Sequence, residues 1–285
     1  MLLKMRKKNA RKPAHVQISP ERKDFAFADV PRHWFDNDPV LTHFLNALSL
    51  TFPDGERLFV DSVREFRDVV TDKARQKEIS GFIGQEAMHS LEHDSFNRML
   101  ANQGYREEAE GGQALAQKFI GIGRKRLSKR QQLAATAGLE HITAILAHRL
   151  LSDPALLEKI DPSVRALWAW HAIEETEHKG VAFDLYQDVS GDYALRVRVF
   201  LSATLALASY TSTYTAAFLK RDGLHRKPLT MAKGLWKLFG VNGLLLPLVP
   251  EYLQYLRPDF HPWQQDNSEL IVQWRGLLEQ ASAAA

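Results

Sequence analysis

Apolar residues recur at steps of three and four positions through most of the chain from about residue 41. One such series is Val60, Val63, Phe66 and Val70, and similar series follow it. These steps place the apolar side chains on one face of a helix. No stretch alternates apolar and polar residues between hairpin turns, as β-strands would. The pattern therefore predicts an all-α protein.

Capping and turn residues divide this pattern into separate helices. Glycines within 104–112 predict a break before a helix over 114–126. Ser128 is expected to cap a helix that continues to Leu151, because its hydroxyl can accept from the first free backbone N–H groups. A Ser-Asp-Pro sequence ends that helix, and the next helix is expected over 162–189.

Two apolar stretches follow in the C-terminal third. Residues 199–219 carry no charge, and at about 1.5 Å per residue a helix of that length could cross a bilayer. Seven of the 21 positions are Ser or Thr, which favours a helix buried against the bundle. A membrane span and a contact with the membrane surface remain alternatives. Residues 234–256 are interrupted by two glycines and two prolines, which predicts short helices.

Composition limits the chemistry that the chain can carry. The 285 residues include no cysteine, which excludes disulfides, thiolate metal sites and cysteine nucleophiles. There is no Gly-rich phosphate loop and no Gly-x-Ser-x-Gly motif. Any metal site must therefore be built from Glu, Asp and His.

The net charge of +3 is unevenly distributed. Residues 1–25 contain eight basic and two acidic residues, a net charge of +6, which leaves −3 on the remainder. We therefore expect a solvated basic tail over 1–30 and one domain over 31–285, with a bundle over 41–190 and a helical extension over 191–285. Nucleic-acid binding is not expected. No secretory signal is recognisable, so a cytoplasmic location is expected, with membrane association as the alternative.

The informative motif is a Glu-x-x-His pair that occurs twice, at Glu86–His89 and at Glu175–His178. Positions i and i+3 lie on one face of a helix, about one turn apart. A carboxylate and an imidazole placed in this way can bind one metal ion together. Either pair alone is weak evidence, whereas two pairs on separate helices predict a site for two metals if each pair has a carboxylate partner.

The carboxylate partner of each Glu-x-x-His pair follows from antiparallel packing, because two ligands on neighbouring helices lie level when they are equally far from the turn that joins the helices. Glu140 and Glu175 are centred near residue 157, inside the turn expected over 152–162. Glu56 and the first motif are centred on residue 71, at the start of the turn expected over 71–76. Glu65 is an alternative to Glu56, although it leaves only short helical arms.

His171 lies four residues before Glu175 and seven before His178, on the same helical stripe. It is either a further ligand or a packed core histidine, and the sequence leaves both open. The next candidates are Glu174, Glu177, Glu92 and His93, with His93 first among them as a ligand, and Glu92 and His93 could instead orient ligating imidazoles. The predicted ligands are Glu56, Glu86, His89, Glu140, His171, Glu175 and His178. This set suits two iron ions, with manganese or zinc as alternatives.

These residues resemble known families. The order Glu, Glu-x-x-His, Glu, Glu-x-x-His is similar to that of the ferritin-like di-iron carboxylate superfamily, and the extra His171 resembles the arylamine N-oxygenases of the p-aminobenzoate N-oxygenase type. The stretches Phe52-Pro-Asp-Gly-Glu-Arg-Leu-Phe59, Gln85-Glu-x-x-His89 and 171–184 resemble a bacterial family described as predicted metal-dependent hydrolase, over about residues 30–260. These resemblances imply a ferritin-like four-helix bundle with additional C-terminal helices.

The leading functional hypothesis from the sequence is a non-haem di-iron oxidase or oxygenase. It would use O2 and an external electron donor to oxidise a small organic substrate, either an amine or a hydrophobic compound. The alternatives are a metal-dependent hydrolase that uses metal-bound hydroxide, a ferroxidase, and a non-catalytic membrane-associated helical protein. The sequence leaves open whether the protein contacts a membrane peripherally and whether it forms a dimer. The C-terminal helices either shape a substrate channel or simply add to the core.

Overall fold

A computed structural model describes the backbone of residues 11–283 and the side chains of residues 11–278. Within this part of the chain every regular element is helical, and one isolated β-bridge joins Phe35 to Ile160. The predicted all-α class is confirmed. The helices are α1 (Pro39–Ser49), α2 (Phe52–Glu65), α3 (Lys73–Leu100), α4 (Arg106–Arg126), α5 (Lys129–Leu151), α6 (Pro154–Glu158), α7 (Pro162–His178), α8 (Val181–Val189), α9 (Tyr193–Arg221), α10 (Pro228–Phe239), α11 (Val249–Gln254) and α12 (Ser268–Ala283).

Helix starts follow the predicted capping residues. Ser128 caps α5 in a capping box: its hydroxyl accepts from the backbone N–H of Gln131, and the Gln131 side chain accepts from the backbone N–H of Ser128. Asp161 caps α7 by accepting from the backbone N–H of Ser163. These local hydrogen bonds involve neighbouring residues only, which is why the sequence was enough to locate both starts.

Two predicted boundaries are wrong. The break after α3 lies at 101–105, where Gly104 has a positive φ of 97°, and α4 already begins at Arg106. Gly111 and Gly112 lie inside α4, where a Cβ on Gly112 would come within 2.6 Å of Leu50. That glycine serves close packing rather than a turn. The helix predicted over 162–189 is divided between α7 and α8 at Gly180, which packs against a tryptophan ring.

Four helices enclose the centre of the molecule. α2 packs against α3 and α5, and α7 packs against α5 and α3, so the four form a closed arrangement. The turn between α2 and α3 spans 66–72 rather than the predicted 71–76, because Asp72 already caps α3 by accepting from Arg75. α4 adds to the outside of α2, and α9 packs against α1 and α5.

The N-terminal segment lies on the helices where the structure describes it. Val16 and Ile18 are buried although residues 11–38 contain no helix. The Glu92 carboxylate accepts from the backbone N–H groups of Asp24 and Phe25, at 2.6 and 3.0 Å. Glu92 therefore holds the N-terminal segment in place and does not orient a ligating imidazole, which was one of its predicted roles. The first four basic residues of the predicted tail lie outside the described residues.

The uncharged stretch 199–219 forms most of α9. No described helix is long and apolar enough to cross a membrane. α9 is only half covered, because Phe200 is buried whereas Leu205 is 70% exposed. The expectation of a buried helix is therefore met on one face alone. Residues 234–256 form the end of α10, a 3-10 turn and α11, as the glycines and prolines predicted.

Candidate metal centre

The fold brings all seven predicted ligands into one buried cluster. Each of the seven residues is at most 4% exposed. α2 supplies one carboxylate, α3 a Glu-x-x-His pair, α5 one carboxylate, and α7 the remaining three residues. The members in this order are Glu56, Glu86, His89, Glu140, His171, Glu175 and His178. Four helices therefore each contribute to a common centre.

One half of the cluster is formed around His178. Its Nε2 atom lies 3.1 Å from Glu86 Oε1 and 3.3 Å from Glu140 Oε2. Each of these three residues offers a ligand atom, and the three atoms lie within 4.8 Å of one another. This spacing matches three donors around one cation.

The other half combines Glu56, His89 and His171, whose ligand atoms also lie within 4.8 Å of one another. The Nε2 atom of His171 is 4.0 Å from Glu56 Oε1. The stacked rings of His89 and His171 have centroids 4.1 Å apart. A second cation fits between these donors.

Two carboxylates lie between the halves. Glu175 directs Oε1 toward His171 Nε2 at 2.9 Å and Oε2 toward His178 Nε2 at 3.6 Å. Glu86 belongs to the first half and also forms a group with His89 and Glu175. One oxygen of Glu175 faces each half, as a carboxylate that bridges two metal ions would.

The cluster is short of hydrogen-bond partners. Eight buried atoms in it form no well-aligned hydrogen bond, although His178 Nε2 lies close to Glu86 and Glu140: both oxygens of Glu56, Glu86 and Glu140, His89 Nδ1 and His178 Nε2. Unpaired buried groups of this kind are costly, at about 1–3 kcal/mol each and more when charged. Divalent cations would satisfy these atoms, and two of them balance four carboxylates. The donor set therefore fits a pair of metal ions.

The pKa values of the carboxyl groups in the cluster reflect the same cost of burying charge. Burial and the neighbouring carboxylates raise the pKa of Glu56 and of Glu86 well above the usual range. Burial, reinforced by Glu175, raises the pKa of Glu140 to about 7. Burial opposes ionisation of Glu175 as well, but His178 and His171 outweigh it and lower the pKa of that carboxyl. Protons thus compete with metal for these ligands.

Hydrogen bonds outside the cluster orient two of the imidazoles. The Nε2 atom of His89 lies 3.1 Å from Glu174, which also accepts from the indole of Trp170. The Nδ1 atom of His178 lies 3.0 Å from Gln85 Oε1. When these outer nitrogens donate, the lone pairs of His89 Nδ1 and His178 Nε2 face the cluster.

A longer chain of hydrogen bonds orients His171. The Ser49 hydroxyl donates to Asn97 Oδ1, so its oxygen accepts from His93 Nδ1 at 2.8 Å. The Nε2 atom of a neutral His93 then accepts from His171 Nδ1 at 2.7 Å. This leaves the Nε2 lone pair of His171 directed at the cluster. His93 thus serves as a positioning residue.

Sequence reasoning missed Ser49 and Asn97. Asn97 lies four residues after His93 and eight after His89, on the same face of α3, and this spacing could have indicated it. Ser49 ends α1, a helix that the sequence did not connect with the site. Glu65, the alternative to Glu56, lies outside the site, because its side chain is 44% exposed and pairs with Lys129.

The helical fold and this buried carboxylate–histidine cluster define an all-α protein built to hold metal. The chain belongs to the family described as predicted metal-dependent hydrolase, whose sequence model matches residues 19–266. The resemblance seen in the sequence is thereby confirmed. No curated protein and no solved structure gives a significant match to the chain.

Proposed function

We propose that this protein is a hydrolase that uses two divalent metal ions held by the seven-residue cluster. The observation that carries the proposal is the set of eight buried donor and acceptor atoms that form no well-aligned hydrogen bond and lie in one cluster. Membership of the metal-dependent hydrolase family supports the reaction type. Imidazole and carboxylate ligands suit manganese, iron or zinc.

A bound pair of metal ions would activate water and polarise the scissile carbonyl or phosphoryl group. The protein's own residues prepare the site for this. The Thr143 hydroxyl donates to Glu175 Oε2 and holds that carboxylate between the two halves. Phe52 packs on the rings of His93 and His171 and shields them from water. Glu56 lines a large cavity, so a substrate bound there would lie next to this member of the cluster.

A second candidate is the di-iron oxidase that the sequence placed first. The ligand set supports it, because four glutamates with two Glu-x-x-His pairs are the donors of ferritin-like di-iron proteins. This reaction would require O2 and an external electron donor. The family description favours hydrolysis, and the oxidase is therefore the second of the two proposals.

Metal analysis tests the centre. We expect about two equivalents of metal per chain in the purified protein after loading with manganese, iron or zinc. Glu140→Gln removes one anionic ligand with little change in shape, and we expect this variant to retain one equivalent or less. Glu65→Gln is the matched control, because this exposed carboxylate should not affect loading. Equal metal content in all three proteins would contradict the assignment.

Turnover distinguishes the two reactions. The metal-loaded protein is offered a panel of carboxylic esters, amides and phosphoesters under nitrogen, and O2 uptake is measured separately with a reductant. Product formation under nitrogen that is lost in Glu140→Gln supports the hydrolase. O2 uptake coupled to substrate oxidation, without anaerobic turnover, supports the oxidase and refutes the hydrolase.

A further inference from the structure

A large cavity lies among α2, α4, α5 and α9. Its volume is about 540 Å3, within the range of small-molecule sites. Its walls are mainly apolar, and α4 and α9 form its outer side. Representative lining residues are Leu58, Leu115, Phe119, Ile142, Leu146 and Leu207. Protein interiors are normally close-packed, so an apolar cavity of this size marks a candidate ligand site.

The cavity adjoins the metal centre. Glu56 and Thr143 line it, and Thr143 also contacts Glu175. A smaller cavity of about 40 Å3 is lined by His171 and Glu175 and shares Phe52, Thr143 and other residues with the larger one. A molecule in the large cavity would therefore have one end beside the ligands of the centre.

Small residues keep the cavity open. Gly55, Gly123, Ala135, Ala203 and Ala206 lie in its wall, at positions where a leucine would extend into the space. Tyr210 also lines the cavity, and its hydroxyl is buried and makes no hydrogen bond. The lining as a whole favours a flexible apolar chain.

The outer rim is apolar. Phe119 lines the cavity and is 60% exposed, which places it at the mouth. Ile122, on the last turns of α4, and Leu205, on α9, are also exposed apolar residues. An apolar rim of this kind suits a ligand that leaves a lipid phase.

A group of cations adjoins this rim. Gly123 and Leu127 both line the cavity, and residues 121–130 include five basic residues and no acidic one. Arg124 pairs with Asp61, and Lys129 pairs with Glu65. The other three form no ion pair within the described part of the chain: Lys125, Arg126 and Arg130. We call these three exposed residues the basic rim.

We propose that the cavity binds a long-chain anionic amphiphile, with its chain in the apolar space and its acidic headgroup at the basic rim. The charge of the rim and the apolar walls together select this ligand over neutral or cationic molecules. This orientation brings the chain close to Glu56. This binding does not rest on the proposed function: the chain end beside Glu56 carries no bond that hydrolysis cleaves, so the amphiphile is proposed as a ligand of the cavity and not as the substrate of hydrolysis.

Calorimetry with dodecanoate tests the binding. We expect one dodecanoate per chain, in the metal-free and the metal-loaded protein alike. The matched cationic probe, dodecyltrimethylammonium, should bind at least about tenfold more weakly, because the headgroup charge is reversed. Replacing the basic rim by serine should weaken dodecanoate binding by a similar factor and leave the binding of uncharged 1-dodecanol unchanged.

Cavity-filling variants test the location. Ala135→Phe and Ala203→Phe approach the cavity from different helices, and each should abolish binding of dodecanoate while helix content and metal loading stay unchanged. Unchanged dodecanoate affinity in both folded variants, or equal affinity for the two charged probes, would overturn the proposal. A protein that binds dodecanoate but no metal refutes the proposed centre alone, and one that binds metal but no dodecanoate refutes the amphiphile site alone.

Discussion

Glu140→Gln should stabilise the metal-free protein while weakening metal binding. Glu140 is buried, both of its oxygens lack hydrogen-bond partners, and burial with Glu175 raises its pKa from 4.5 to about 7. A pKa that is higher in the folded state means that ionisation at neutral pH opposes folding. Glutamine has a similar shape but no charge, so the variant removes this cost.

The rise of this pKa from 4.5 to about 7 corresponds to about 3 kcal/mol above pH 7. The contribution of the protonated Glu140 carboxyl to stability is fully present below pH 4.5 and is lost as the pH rises through about 7. Because the introduced amide also lacks partners, we expect a net gain of about 1–3 kcal/mol at pH 8. The gain should disappear near pH 4.5.

Urea unfolding of the chelator-treated proteins measures this difference. Wild type, Glu140→Gln and the exposed control Glu65→Gln are compared at pH 4.5 and pH 8, and then again with metal. The order should reverse with metal, because bound cations stabilise the folded state more when their affinity is higher. A metal-free Glu140→Gln variant that is less stable than wild type at pH 8 would refute the reasoning.

Three further predictions address other parts of the structure. His93→Phe removes the hydrogen bond to His171, and metal affinity measured by chelator competition should fall about 10- to 100-fold; unchanged affinity would exclude a positioning role. Burial lowers the pKa of His141 to about 4, so the free energy of unfolding should fall by up to about 3 kcal/mol as the pH drops from 6.5 toward 4. Urea unfolding of a His141→Gln variant should lack this contribution to the pH dependence. Asp222 accepts hydrogen bonds from two histidines, an arginine and Tyr105, so Asp222→Ala should lower the free energy of unfolding, measured with urea, by about 3–5 kcal/mol without loss of metal. A decrease below about 1 kcal/mol would show that this network contributes little to stability.

Local spacing made much of the centre predictable. Glu86 with His89, and Glu175 with His178, share a helix face because of helical periodicity alone. Glu56 and Glu140 followed from the requirement that antiparallel helices place ligands level with one another. The structure brings these six residues together with His171, although two helix boundaries and the turn at 66–72 differ from prediction.

The orientation of His171 could not be predicted in this way. It depends on His93 and Asn97 of α3 and on Ser49 of α1, which lies 44 residues before His93. Gly112 shows the same limit. Its role is a close approach to Leu50 and Tyr210, which lie outside α4, whereas the sequence indicated only a turn.

The sequence by itself determined the helical class, the capping of α5 and α7, and the residue types available to a cysteine-free metal site. Those properties depend on composition and on neighbouring residues, within one or two helical turns. Only the tertiary structure decided which nitrogen of each imidazole faces the centre and where a cavity opens beside it. Hydrogen bonds between distant residues and the space left between packed helices are long-range properties, because they depend on how several helices meet.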